Sequence, residues 1–97
     1  MATYISLVNF TDQGARNVKD TVKRAQAYQE AAQKAGVNVK QIFWTIGQYD
    51  IVLVVETADD ETAVASVLSV VSKGNIRSQT LRAFSAEEMT RILAKVQ

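Results

Sequence analysis

The chain has 97 residues and a formal net charge of +1, with 47% hydrophobic and 22% charged residues. This length and balance are typical of one globular domain, which we place at residues 1–97. A charge so close to neutral gives no broad attraction to nucleic acid, and no apolar run approaches the ~20 residues that span a bilayer, so neither nucleic acid nor a membrane is predicted as a partner.

The sequence contains no His and no Cys. Their absence excludes zinc sites of the usual ligand types, His-ligated haem, and Ser-His-Asp or Cys-His catalytic groups. We therefore predict no metal and no cofactor. Without disulfides, and without the basic and apolar regions of a signal peptide at the N-terminus, a cytoplasmic location is favoured.

The first quarter of the chain predicts a strand followed by a long helix. Residues 3–10 alternate in hydrophobicity, which is typical of a strand. Residues 16–35 are rich in Ala, Lys and Gln and predict one continuous helix, with Asp12 or Asn17 as its N-cap and Gly36 just beyond its end. Its predicted apolar stripe comprises Val18, Val22, Ala25, Tyr28, Ala32 and Ala35.

Residues 39–57 predict a β-hairpin, because two runs of β-branched and aromatic residues flank Gly47 and Gln48. Gly at the first loop position favours a two-residue type II′ turn, which needs φ > 0 there. The predicted pairs are Ile46 with Tyr49, Trp44 with Ile51, Ile42 with Leu53, and Lys40 with Val55. Alternation then gives one apolar face, predicted to be buried, and one mixed face. The apolar face holds Ile42, Trp44, Ile46, Tyr49, Ile51, Leu53 and Val55. The mixed face holds Val39, Gln41, Phe43, Thr45, Asp50, Val52, Val54 and Glu56.

The second half of the chain predicts a helix, a strand and a final helix. Acidic residues at 59–61 and a broad apolar stripe predict a helix that ends near Gly74. The stripe comprises Ala63, Val64, Val67, Leu68, Val70 and Val71. Residues 76–84 alternate as a strand, and Ser85 with Glu88 forms a capping box for the last helix. The apolar face of that helix comprises Met89, Ile92, Leu93 and Val96.

The predicted order β-α-β-β-α-β-α is an α+β fold of the ferredoxin-like type with a C-terminal helix. Its four-stranded antiparallel sheet has both long helices on one face, and right-handed crossovers place the first and third strands side by side. The other face carries several large apolar side chains, and so extensive a patch is uncommon in a monomer. We predict a homodimer in which two sheets pack face to face. The last helix either crosses to the partner or, in the alternative without a dimer, folds back over its own sheet.

Segments spread over essentially the whole chain carry a family resemblance. They are Thr11-Asp12-Gln13-Gly14, Arg24, Trp44-Thr45-Ile46-Gly47-Gln48-Tyr49-Asp50, Gly74-Asn75 and Thr80-Leu81-Arg82-Ala83-Phe84. Together they resemble the GYD domain family, whose name-giving residues correspond to Gly47, Tyr49 and Asp50, with Gln48 between the first two. The resemblance implies a ferredoxin-like protomer of the dimeric α/β-barrel superfamily. That superfamily includes cofactor-independent monooxygenases, isomerases, haem enzymes and ligand-sensing domains, so the fold alone does not select a function.

Five residues are candidates for a functional site. Asp50, a carboxylate inside a strand, could act as a base with Tyr49 beside it. It could instead bind backbone N–H groups or pair with Arg82 or Thr45. Trp44 and Tyr49 could line a ligand pocket or anchor the core. Asn9 and Arg82 are further candidate ligand-binding residues, Asn9 at a polar mouth and Arg82 as an anion-binding group. The predicted register separates Tyr49 and Asp50 onto opposite faces, which weakens a joint catalytic role.

Basic residues on the first helix raise the alternative of a nucleic-acid-binding surface. They are Arg16, Lys19, Lys23 and Arg24. Because Asp20 and Glu30 are interspersed among them, we interpret this cluster as a solvated helix face.

Three functions compete. The favoured one is a small homo-oligomeric ligand-binding or sensing module with a modest pocket between helices and sheet. The alternative is a cofactor-independent monooxygenase or isomerase that uses Tyr49 and Asp50 on a small organic substrate. The third is a purely structural assembly unit. An enzyme needs an acid or base at a cavity, so the surroundings of Asp50 discriminate between the first two.

Overall fold

A computed structural model describes all 97 residues. The strands are β1 (Ala2–Phe10), β2 (Asn38–Trp44), β3 (Ile51–Thr57) and β4 (Ile76–Ala83). The helices are α1 (Asp12–Arg16), α2 (Thr21–Lys34), α3 (Asp60–Val71) and α4 (Ala86–Leu93), and a 3₁₀ turn at Val18–Asp20 separates α1 from α2. No helix combines the length and the hydrophobicity needed to cross a membrane.

The four strands form one antiparallel sheet in the order β2-β3-β1-β4. This order confirms the predicted α+β, ferredoxin-like fold and the adjacency of the first and third strands. Alternate residues of β1 and β3 pair directly and face α2 and α3. These residues are Tyr4 with Val55, Ser6 with Leu53, and Val8 with Ile51. All six are buried, and together with Ala32, Val37 and Ala63 the five apolar ones form the core. We call this side of the sheet the covered face.

The predicted long first helix is wrong, because the chain breaks it at Asn17. The Thr11 side chain accepts the N–H of Gly14 and starts α1 well before the predicted helix. The 3₁₀ turn interrupts the helix, and Val18 and Val22 are 44% and 52% exposed instead of lying in the core. Within α2 the predicted stripe is otherwise retained, because Ala25 and Tyr28 are half-buried and Ala32 is buried.

The predicted hairpin pairs Trp44–Ile51 and Ile42–Leu53 are confirmed, but the two-residue turn is wrong. Residues 45–50 form a wider loop in which Ile46 is fully exposed, although Gly47 does adopt the expected positive φ of 123°. Asp50 is bonded on both sides. Its N–H donates to the Val8 carbonyl of β1, and its carbonyl accepts the Thr45 N–H, both at 2.8 Å, so the bond between Thr45 and Asp50 closes the wider loop.

A β-bulge in β2 corrects a second predicted pair. Val39, and not Lys40, lies opposite Val55, while Gln41 lies opposite Val54. Lys40 is therefore the extra residue of the bulge. The shift turns Val39 towards the core and leaves the Lys40 ammonium 3.5 Å from the Glu56 carboxylate.

The helix starts predicted in the second half are confirmed. The Asp59 side chain accepts the Thr62 N–H at the start of α3. At the start of α4, the Ser85 side chain accepts the Glu88 N–H while the Glu88 side chain accepts the Ser85 N–H, which is the predicted capping box.

The other side of the sheet, which we call the open face, has no helix over it. Phe43 is 53% exposed and Leu81 is 41% exposed on this side. The alternative in which the last helix folds back over its own sheet is wrong, because α4 has no extensive contact with any strand. Its apolar residues Met89, Leu93 and Val96 remain exposed.

Candidate functional site

A cavity of about 160 Å³ lies between the covered face of the sheet and helices α2 and α3. Its walls are mainly aliphatic. The aliphatic lining includes Val8, Ile42, Ile51, Leu53, Val67 and Val70. On the α2 side the lining includes Ala25 and Ala27, which have short side chains.

Arg24 is the main polar feature of the cavity lining. Its Nη1 donates to the Asn17 carbonyl at 2.7 Å. Its Nη2 is buried and has no hydrogen-bond partner. The helix break accounts for this arrangement, because Asn17 lies between α1 and α2 and its carbonyl accepts both the Asp20 N–H, at 3.1 Å, and the guanidinium group.

The remaining polar groups of the lining differ from Arg24 because several already have protein partners. The Tyr28 hydroxyl lies 3.2 Å from the Ser66 hydroxyl, and the Ser6 hydroxyl lies 3.0 Å from that of Thr80. Lys73 is the second cationic residue of the lining, and no Asp or Glu contributes to it. The cavity is therefore an apolar space with a positively charged, acid-free lining.

Residues 11–14 and 73–75 lock together beside the cavity, and we call this contact the clasp. The Thr11 hydroxyl donates to the Gly74 carbonyl at 2.6 Å, and the Thr11 N–H donates to the Asn75 carbonyl at 3.1 Å. Gly14 packs so closely that a Cβ atom there would lie 2.0 Å from the Asn75 carbonyl oxygen. Thr11 is thus a helix cap and a structural contact.

The Gln13 side chain completes the clasp. Its Nε2 donates to the Lys73 carbonyl at 3.2 Å and to Asn75 Oδ1 at 3.0 Å. Because Lys73 and Asn75 both line the cavity, the clasp fixes one end of the site.

Asp50 lies outside the cavity lining. Its Oδ2 accepts the Phe10 N–H at 2.9 Å, next to the backbone bond between Asp50 and Val8. The carboxylate thus takes the place of a strand carbonyl at the end of β1. This is the structural alternative predicted for Asp50, in which it binds a backbone N–H group.

Tyr49 does not lie on the covered face, where the predicted register had placed it. Its hydroxyl donates to Gln79 Oε1 at 3.2 Å. Gln79 pairs with Leu7, whose side chain is on the open face. Tyr49 and Asp50 therefore bind different parts of the molecule and do not converge on a common pocket.

The other predicted ligand-binding residues, Asn9, Trp44 and Arg82, also lie outside the lining. Trp44 is 41% exposed, so it is neither a core anchor nor a cavity wall. Its Nε1 donates to the Thr21 hydroxyl at 3.0 Å, and Thr21 does line the cavity. Asn9 pairs with Arg77 at the end of β1.

Arg82 lies at the far end of the sheet, where it joins β4 to α4. Its Nη2 is 3.5 Å from the Glu88 carboxylate, and its guanidinium lies 4.4 Å from the centre of the Phe84 ring. Near it, Asp60 accepts the Tyr4 hydroxyl. This hydrogen bond, with burial of the ring, raises the pKa of Tyr4 above its ordinary value and keeps the hydroxyl protonated.

Sequence reasoning missed Arg24 as a cavity residue, since it was assigned to a solvated basic face. That assignment is confirmed for the exposed Arg16, Lys19 and Lys23 but is wrong for Arg24. The missed signal is helical spacing. Thr21, Arg24 and Tyr28 lie at i, i+3 and i+7, so they share one face of α2.

Comparisons with known proteins agree with one another. The GYD domain model matches residues 4–93. A glutamine synthetase and cystathionine beta-lyase binding protein of Thermus thermophilus is 33% identical over 90 residues, which are 92% of this chain and 95% of that protein. A crystal structure of a Thermus thermophilus protein superposes with a TM-score of 0.57 at 27% identity, covering 89% of this chain and 96% of that chain. The chain belongs to the GYD domain family.

Proposed function

We propose that this chain is a small homo-oligomeric binding module that associates with enzymes of the kind bound by its Thermus relative. The observation that carries this proposal is the relative itself, a protein named for binding glutamine synthetase and cystathionine beta-lyase. The match extends over nearly the full length of both chains, so the whole protomer is shared. The cytoplasmic location predicted from the cysteine-free sequence is part of the proposal.

The experiment is a binding measurement with purified glutamine synthetase and cystathionine β-lyase from the source of this chain. Each enzyme is immobilised, and the chain is titrated over it from nanomolar to high micromolar concentration while binding is recorded by biolayer interferometry. An unrelated oligomeric enzyme of similar charge serves as the control. Saturable binding to either named enzyme and none to the control supports the proposal. The same weak signal with all three enzymes, or no signal, contradicts it.

The proposed homo-oligomer is a dimer formed by two open faces. Large apolar side chains follow one another across this face, with Ile5 opposite both Val54 and Leu81 in neighbouring strands. Burying each such side chain stabilises the assembly by roughly 1.5–3 kcal/mol, so several of them together match the stability of a typical domain. The exposed apolar face of α4 adds a second surface that needs a partner.

Sedimentation velocity tests the dimer. We expect the mass of a dimer at micromolar concentration for the unchanged chain and the mass of a monomer for Val54→Lys, which places a charge in the middle of the open face. Val64→Lys is the matched control, because Val64 is 54% exposed on the outer side of α3. A monomer mass for the unchanged chain would overturn the dimer, and so would a dimer mass for Val54→Lys with its fold intact by circular dichroism.

The rival hypothesis of a cofactor-independent monooxygenase or isomerase has less support. No carboxylate lines the cavity, and Asp50, the base that this hypothesis requires, accepts a backbone N–H at the end of β1. Tyr49 is held on the open face by Gln79. The geometry favours binding at the cavity over proton transfer.

A further inference from the structure

We propose that the cavity between α2, α3 and the sheet binds a small organic monoanion, a carboxylate with a compact apolar body, and that Arg24 receives the carboxylate. This inference rests on the proposed binding function and deepens it by naming the ligand class that an enzyme-binding module of this kind would sense. It starts from the one buried side-chain nitrogen that lacks a hydrogen-bond partner, Arg24 Nη2.

A buried guanidinium nitrogen without a partner is costly, because its N–H groups have left water and gained no acceptor. Arg24 is tethered through Nη1 to the Asn17 carbonyl, so the group is held in place at the cavity. No ion pair includes Arg24. A bound carboxylate would supply both the missing acceptor and the missing negative charge, and a guanidinium–carboxylate bond is among the stronger hydrogen bonds in proteins.

The charge balance of the lining selects an anion over a cation or a neutral ligand. Arg24 and Lys73 are the charged residues of the lining, and no carboxylate opposes them. Because the rest of the lining is mainly hydrophobic, the fixed guanidinium suits a carboxylate attached to an apolar body.

The size of the cavity and the apolar character of its walls indicate what the apolar body of the ligand can be. A cavity of about 150 Å³ lined by aliphatic and aromatic side chains holds one benzene molecule in a protein interior. The cavity here is about 160 Å³ and is lined mainly by aliphatic groups. One aromatic ring or a short branched or linear chain therefore fits inside the cavity beside the guanidinium.

The test is a titration of the ¹⁵N-labelled chain with three carboxylates, benzoate, phenylacetate and hexanoate, and with their neutral amides. Chemical-shift changes give the dissociation constants. We expect at least one carboxylate to bind about tenfold or more tightly than its amide, the difference made by one charge-assisted hydrogen bond. The shifts should concentrate at lining residues such as Ala25, Val67 and Val70.

Arg24→Gln should abolish the preference for carboxylate over amide while leaving the spectrum of a folded protein. Arg91→Gln is the matched control, since Arg91 lies on α4 and pairs with Glu87 away from the cavity. The inference is overturned if no carboxylate binds, if each amide binds as tightly as its carboxylate, or if Arg24→Gln retains the preference. The titration uses this chain alone, so its failure leaves the enzyme-binding measurement to decide the proposed function separately.

Discussion

The two faces of the sheet come from the same strands but have different surroundings. In β3, Ile51, Leu53 and Val55 are at most 7% exposed on the covered face, whereas Val52 and Val54 between them are only half-buried on the open face. Both sets are fully apolar. Alternation along the strand therefore assigns residues to faces, but hydrophobicity does not say which face receives the helices. The candidate site also lies on the covered side. The guanidinium group of Arg24 lines the cavity there, beneath the helices, and not on the open face.

The largest expected loss of stability comes from a substitution in the core on the covered face. Leu53→Ala removes a buried side chain from the core and should lower the free energy of unfolding by about 2–5 kcal/mol. Leu7→Ala is the matched change on the open face and should mainly weaken the dimer. Urea unfolding measures the first effect, and sedimentation equilibrium measures the second. Equal loss of unfolding free energy in both variants would contradict the distinction between the faces.

Gly14→Ala should have the next largest effect, because it breaks the clasp beside the cavity. The new Cβ would lie 2.0 Å from a backbone oxygen, so the backbone must move. We expect a loss of about 1–3 kcal/mol in the free energy of unfolding, as for other overpacked sites. The control is Ala15→Ser on the exposed side of α1, which should change stability little. An unchanged unfolding midpoint for Gly14→Ala would show that the clasp is not a close contact.

Variants of Asp50 test the hydrogen bond between its carboxylate and the Phe10 N–H at the end of β1. Asp50→Ala removes the acceptor of the Phe10 N–H and should cost roughly 1–2 kcal/mol in the free energy of unfolding. Asp50→Asn keeps an oxygen acceptor and should retain most of that stability. Thermal unfolding of both variants measures the difference. A loss in Asp50→Asn as large as in Asp50→Ala would point to a role for the negative charge itself.

The smallest expected effect concerns acid stability at the two helix starts. The Thr62 N–H lowers the pKa of Asp59, and the Ser85 N–H lowers the pKa of Glu88, from ordinary values of 3.8 and 4.5. Because each carboxyl is more acidic in the folded chain, its contribution is present above the ordinary value and is lost as pH falls through the lower folded value.

Stability should therefore decrease slightly below about pH 4. The double variant Asp59→Asn with Glu88→Gln should show a flatter acid limb in urea midpoints measured from pH 3 to pH 7. An acid limb as steep as that of the unchanged chain would assign the acid sensitivity to other carboxylates.

Local patterns determined most of the fold. Alternation located the four strands, the Ser85–Glu88 capping box located α4, and Asp59 marked the start of α3. Each of these signals acts within a few residues of chain, where hydrogen bonds and side-chain direction follow from sequence spacing. The family resemblance also came from sequence, and the GYD domain match confirms it.

Tertiary contacts decided where the helix breaks and how the hairpin loop opens. Gly14 docks on the backbone of Asn75, which is distant in sequence, and this contact orients α1 separately from α2. Asp50 binds the end of β1 through its N–H at Val8 and its carboxylate at Phe10. Neither partner is a sequence neighbour, so no local pattern could have indicated the contact.

The sequence by itself determined that this protein is a ferredoxin-like GYD domain without the residues for common metal or nucleophilic chemistry. Only the tertiary structure decided where its candidate site lies. The residues singled out by chemical type, Trp44, Tyr49, Asp50 and Arg82, stabilise loops, strand ends and the α4 junction. Arg24 shares one face of α2 with Thr21 and Tyr28, and it lines a cavity because α2 and α3 pack on the sheet there and the Asn17 carbonyl holds its guanidinium group.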